Sequence, residues 1–100
     1  MSITILGYEF EGHFTSTELL KNQSGVYVIH YKNNDDKYTR LDCGESSDVK
    51  NRVETHDRKN CWSKHAKGQI TASAYYCNEQ ERMIIEKKIR TASDLPCGEI

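Results

Sequence analysis

The segment LDCGESSDVKNRVETH, residues 41–56, carries an arginine and a histidine four residues apart, Arg52 and His56. In helical projection Val49 and Val53 mark an inward stripe. At 3.6 residues per turn Arg52 and His56 fall beside that stripe rather than on the watery face. They also sit in a locally basic run. Residues 50–70 hold Lys50, Arg52, Arg58, Lys59, Lys64 and Lys67 against Glu54 and Asp57, with His56 and His65 in addition. Such a run points to phosphate. The plainer alternative is a solvated helix and loop, with an arginine that buries its stem and keeps its head in water.

Other reactive side chains are scattered. Cys43, Cys61, Cys77 and Cys97 form no CxxC pair and read as free thiols. A zinc site would need Cys61 and His65 plus residues far away in sequence, and a catalytic cysteine has no better support. The start, MSITILGYEF, has no basic n-region and its apolar run ends at Leu6, so neither a signal peptide nor a membrane span is expected and the chain reads as cytoplasmic. A net charge of −1 gives no general affinity for nucleic acid.

The elements that must position these residues follow from periodicity. Residues 2–10 read as an edge strand, and TSTELLK carries a capping box from Thr15 to Glu18 that suggests a short helix. GVYVIHY has apolar groups on both faces, Val26 and Val28 on one and Tyr27, Ile29 and Tyr31 on the other, as in a central strand. KNNDDK suits a hairpin loop that returns as YTRLDCG, with Tyr38, Arg40 and Asp42 sharing one face. Ser46, Ser47 and Asp48 cap a helix reaching about Lys59. CWSKHAKG reads as a loop pinned by Trp62, and QITASAYYC as a third strand. EQERMIIEKKIRTA reads as a last helix burying Ile85, Ile89 and Ala92. The 100 residues make one domain: α/β (α+β), a small three-stranded antiparallel sheet flanked by helices.

Taken in order, GVY at Gly25–Tyr27, DCG at Asp42–Gly44, Arg52 on the following helix and Glu86 within IIEKKIR resemble the GIY-YIG nuclease superfamily. The resemblance spans the motif-bearing core, residues 24–92. It implies an α/β sandwich acting as a metal-dependent endonuclease on DNA, with one Mg²⁺ or Mn²⁺ ion. Under it Tyr27 is the general base or water-orienting phenol, and Arg52 pairs with phosphate oxygens, helped by Lys50 and Arg58. His56 shuttles a proton or positions the phosphate, and Glu86 holds the metal.

The chain departs from the family pattern at two places. Asp42 stands where the family has the tyrosine that opens YIG, and PCGE stands where many members have a proline followed by an asparagine. Asp42 then has two readings: a base or second metal ligand beside Glu86, or an ion-pair partner of Arg52 in a site that no longer cleaves. The rival function is a GIY-YIG-fold module that binds nucleic acid or protein without turnover. Either way, a homodimer or a partner protein would supply targeting that one short domain lacks. Without the resemblance, Glu86 reads as a helix residue paired with Arg82 or Arg90, and Tyr27 as core.

Overall fold

The structure, a computed structural model, describes residues 2–98; Glu99 of the PCGE tail lies outside the described residues. Its sheet has five strands rather than the expected three. They are β1 (Ser2–Ile5), β2 (Tyr8–Phe14), β3 (Gly25–Lys32), β4 (Tyr38–Ser46) and β5 (Ile70–Tyr76), ordered β1-β2-β5-β3-β4 with every pair antiparallel. The strands β1 and β2 lie in residues 2–14, of which 2–10 read as one edge strand. That segment folds back at Leu6 and Gly7, both with positive φ, the backbone of a tight hairpin turn. Leu6 disguises that turn, because leucine rarely adopts the conformation.

Strand β3 lies between β5 and β4, and every residue from Gly25 to Tyr31 is buried. Its alternation divides the core into two. Tyr27, Ile29 and Tyr31 face Val49 and Val53 of α1 (Val49–Glu54) and Trp62 of α2 (Lys59–His65). Val26 and Val28 face Ile85 and Ile89 of α3 (Glu79–Ala92), while Ala92 is exposed rather than buried.

One irregularity in β4 decides what reaches which face. Ile29 pairs with Asp42 and His30 with Arg40, so Leu41 is a bulged extra residue. Leu41 and Asp42 therefore both turn toward α1 and α2, whereas Arg40 reaches Ser93 beyond α3. The expected common face for Tyr38, Arg40 and Asp42 does not form.

The helix expected to run to Lys59 stops at Glu54. The Thr55 backbone N–H and hydroxyl both bond the Asn51 carbonyl and close the turn. The segment read as a loop around Trp62 is instead α2, anchored by the tryptophan, which is 4% exposed. Near the N-terminus, Ser16 rather than Thr15 accepts from the Glu18 N–H and caps a 3₁₀ turn at Thr17–Leu19.

The C-terminal tail covers the open edge of β4. The Cys97 N–H donates to the Leu41 carbonyl, and Arg90 donates to the carbonyls of Cys43 and Gly98. Cys61 of α2 and Cys97 of the tail form a disulfide, which corrects the reading of four free thiols; Cys43 and Cys77 are free. A pairing across 36 residues follows from the tail returning to α2, and linear spacing does not show that. Among the described residues, no helix is long and apolar enough to cross a membrane.

Candidate active site

Tyr27 projects from the middle of the sheet toward the turn between α1 and α2, and its hydroxyl lies 2.7 Å from His56 Nε2. The strand beside it carries Gly44, paired in register with Tyr27. A Cβ at residue 44 would overlap the phenol oxygen and Cζ and sit 2.9 Å from Cε2. Glycine is therefore needed at this position because the phenol lies flat against the neighbouring strand.

His56 lies beyond the end of α1 rather than on it, so its helical spacing from Arg52 does not set its direction. One hydrogen bond and one ring contact do. The Arg58 backbone N–H donates to Nδ1 at 3.0 Å, and the ring packs against Trp62 with centroids 4.8 Å apart. Burial, reinforced by the Arg52 and Arg58 charges, lowers the imidazole to about 4, so it is neutral at physiological pH. The hydrogen-bond network then assigns the tautomer: Nδ1 accepts, so Nε2 carries the proton and donates it to Tyr27. The phenol keeps its own proton to donate elsewhere.

Burial pushes the Tyr27 phenol up to about 12, although Arg52 and Arg58 pull the other way. In this arrangement Tyr27 is a hydrogen-bond donor at neutral pH rather than a base. Arg52 is the reachable cation of the group. Its side chain is 38% exposed and meets Asp57 at 3.1 Å, a surface pair that a phosphate can displace.

Asp42 corrects both readings given to it. Its carboxylate has no side-chain exposure and takes four donors: Arg58 Nε at 2.8 Å and Nη2 at 3.1 Å, Trp62 Nε1 at 2.8 Å, and the Cys43 N–H at 2.8 Å. It pairs with Arg58 and not with Arg52, and both oxygens are occupied, leaving it unsuited to a metal. Arg58 is corrected with it, because the fork expected to hold phosphate holds Asp42. Trp62 was read only as a packing residue. Its indole donor and its i+4 spacing from Arg58 were the available signals for a shared partner.

Glu86 sits on α3, across the sheet from Tyr27, and pairs with Arg90 at 2.5 Å, the plainer of its two readings. It is not among the charges that act on the phenol. A hard divalent ion takes oxygen donors and can be held by one carboxylate, completed by water and phosphate oxygens. Glu86 offers one carboxylate, 20% exposed and paired with Arg90, on the face of the sheet opposite Tyr27 and Arg52, and a two-carboxylate site with Asp42 does not fit. Lys50 is half-buried on α1, its backbone N–H bonded to the Lys21 carbonyl. Burial raises the Cys43 thiol to about 12 and keeps it protonated, which removes it as a nucleophile.

A cavity of about 290 Å³ opens near this cluster, bounded by Phe14, Thr17, Ile29, Val53, Lys59 and Trp62. It shares Trp62 with Asp42 but does not reach Tyr27, so the phenol is not approached through it.

Fold and site together define a small α+β domain with a buried tyrosine–histidine pair and one accessible arginine beside it. Comparison with known protein families, curated proteins and solved structures finds no match.

Proposed function

We propose that the chain is a GIY-YIG-type domain that hydrolyses phosphodiester bonds in DNA with one Mg²⁺ or Mn²⁺ ion. The observation that carries the proposal is the Tyr27–His56 hydrogen bond seated on Gly44, with Arg52 at its exposed side. These are residues that the motif order pairs, and they come from three separate segments.

In this reading the scissile phosphate displaces Asp57 and pairs with Arg52, which offsets the negative charge that builds up as water attacks. Tyr27 keeps its proton, so in this reading it acts as a hydrogen-bond donor rather than as a base. His56, neutral and donating to the phenol oxygen, fixes the direction of that donation. An ion held by Glu86 would lie across the sheet from Tyr27 and Arg52, so Lewis-acid charge at the phosphate would come from an ion held by phosphate oxygens and water.

The test is nicking of supercoiled DNA by the full chain in Mg²⁺ or Mn²⁺. Arg52→Ala is expected to abolish cutting, and Tyr27→Phe to slow it by roughly 10²-fold or more. Undiminished cutting by Arg52→Ala would refute the proposal.

A second reading, a nucleic-acid-binding module without turnover, is favoured by the Asp42–Arg58 and Glu86–Arg90 pairs, which occupy both candidate metal carboxylates. It is expected to show salt-dependent DNA binding that falls on Arg52→Ala, with no nicking in any divalent ion.

A further inference from the structure

Away from the phenol, α2 and the tail bring three soft or borderline ligands together. Cys61 and His65 are four residues apart on α2, so both project from one side of the helix. Cys97 meets them from the tail, and the Sγ and imidazole nitrogen atoms of Cys61, His65 and Cys97 lie within 4.8 Å of one another. Both arms are held. Trp62 fixes α2 in the core, and the Cys97 N–H is tied to the Leu41 carbonyl at 2.9 Å.

We propose that the reduced chain binds zinc through Cys61, His65 and Cys97, at the sulfurs the disulfide otherwise joins. Tetrahedral zinc, with Zn–S near 2.3 Å and Zn–N near 2.0–2.1 Å, sets its donors roughly 3.5–3.8 Å apart. The three side chains reach that spacing by small rotations, because the Cα atoms of the two cysteines are 5.8 Å apart and His65 is exposed and free to swing. Carboxylate-preferring ions are poorly matched to two sulfurs and one nitrogen. With Cys97 buried, Cys61 half-buried and His65 exposed, the fourth position opens to solvent and is filled by water.

The two states exclude each other. The disulfide takes two electrons and two protons from a dithiol reductant, which leaves as its own disulfide. Each thiol then loses its proton as its sulfur binds the metal, two protons per zinc. The proposal is independent of the phosphodiester reading, since none of its ligands touches Tyr27, His56 or Arg52.

The test is cobalt titration of the full chain, reduced and then freed of reductant under anaerobic conditions. The expected result is one Co²⁺ per chain, with a thiolate-to-cobalt charge-transfer band and tetrahedral d–d bands, both erased by one equivalent of Zn²⁺. The oxidised chain is expected to give neither band. Cys97 is buried, and its replacement can perturb the fold. The decisive variant is therefore exposed His65→Ala, which should weaken cobalt binding on the order of tenfold or more while circular dichroism stays unchanged. Cys77→Ser should bind as wild type. Absence of the charge-transfer band in the reduced chain, or unchanged affinity in His65→Ala, would overturn the proposal.

Discussion

Replacing Asp42 by alanine tests whether this residue is a structural centre or a reactive group. The substitution strips four donors of one acceptor, among them a guanidinium only 19% exposed and a buried indole N–H. Removing one partner of a buried ion pair costs about 3–5 kcal/mol. Arg58 retains a partial route to water, so the loss should fall at the lower end, roughly 3 kcal/mol, against a total of about 5–15 kcal/mol for a domain of this size. Urea unfolding followed by tryptophan fluorescence and circular dichroism reads the change. At a slope of about 1 kcal/mol per molar, the midpoint should fall by roughly 3 M with the slope unchanged. Arg58→Ala should cost at least as much, because it leaves a carboxylate with no exposure where Asp42→Ala leaves a cation near the surface. The double variant Asp42→Leu/Arg58→Met removes both charges and should recover part of the loss, since buried pairs are often replaceable by apolar groups. An Asp42→Ala midpoint within about 1 M of wild type would refute the reasoning.

Two further outcomes follow from the same face and its opposite. Gly44→Ala should lose about 2–3 kcal/mol and disturb the Tyr27–His56 contact, because the phenol ring fills the space a methyl needs. In a Tyr27→Val background the same change should cost under about 1 kcal/mol, and equal costs in both backgrounds would remove the steric explanation. On the α3 face, burial lowers His30 to about 3, with His13 and Arg40 adding to the effect, and its Nδ1 has no hydrogen-bond partner. The folded state therefore favours the neutral ring. That stability is present above the unfolded value near 6.5 and is lost as pH falls toward 3, reaching about 3 kcal/mol by pH 4.5. His30→Gln should show a correspondingly shallower loss of urea midpoint between pH 7 and pH 4.5, and an identical slope would contradict the assignment.

The central part of the fold was legible because its signals are local. GVYVIHY is apolar on both faces, QITASAYYC is β-branched and aromatic, and α3 carries a clear stripe at Ile85 and Ile89. What escaped depended on backbone choices or distant contacts. Leu6 adopts a positive φ in a hairpin without an Asn-Gly signal, and Thr55 stops a helix whose apolar spacing invites continuation. The Cys61–Cys97 bridge joins segments that only the folded tail makes neighbours. At the site, the motif order brought Tyr27, Arg52 and His56 into one list, and the folded chain holds them together. The exclusion of Asp42 and Arg58 from phosphate chemistry turned on their mutual distance, which neither sequence position contains.

The bulge at Leu41 governs which chemistry β4 can offer. Side chains alternate faces with a period of two, so an unbulged β4 could not turn Leu41 and Asp42 to the same side. With the bulge, Leu41 fills the core against Tyr27 and Ile29 while Asp42 reaches Arg58 and Trp62 beneath the same helices. Asp42 holds the Arg58 guanidinium; the backbone N–H of the same residue sets the His56 tautomer, and the His56 Nε2–H in turn meets the Tyr27 oxygen. Asp42 is thus linked to the phenol through two intervening residues, Arg58 and His56, without touching it. On the proposed phosphodiesterase reading, its effect would be one of positioning, transmitted through His56, rather than of proton transfer by its own carboxylate.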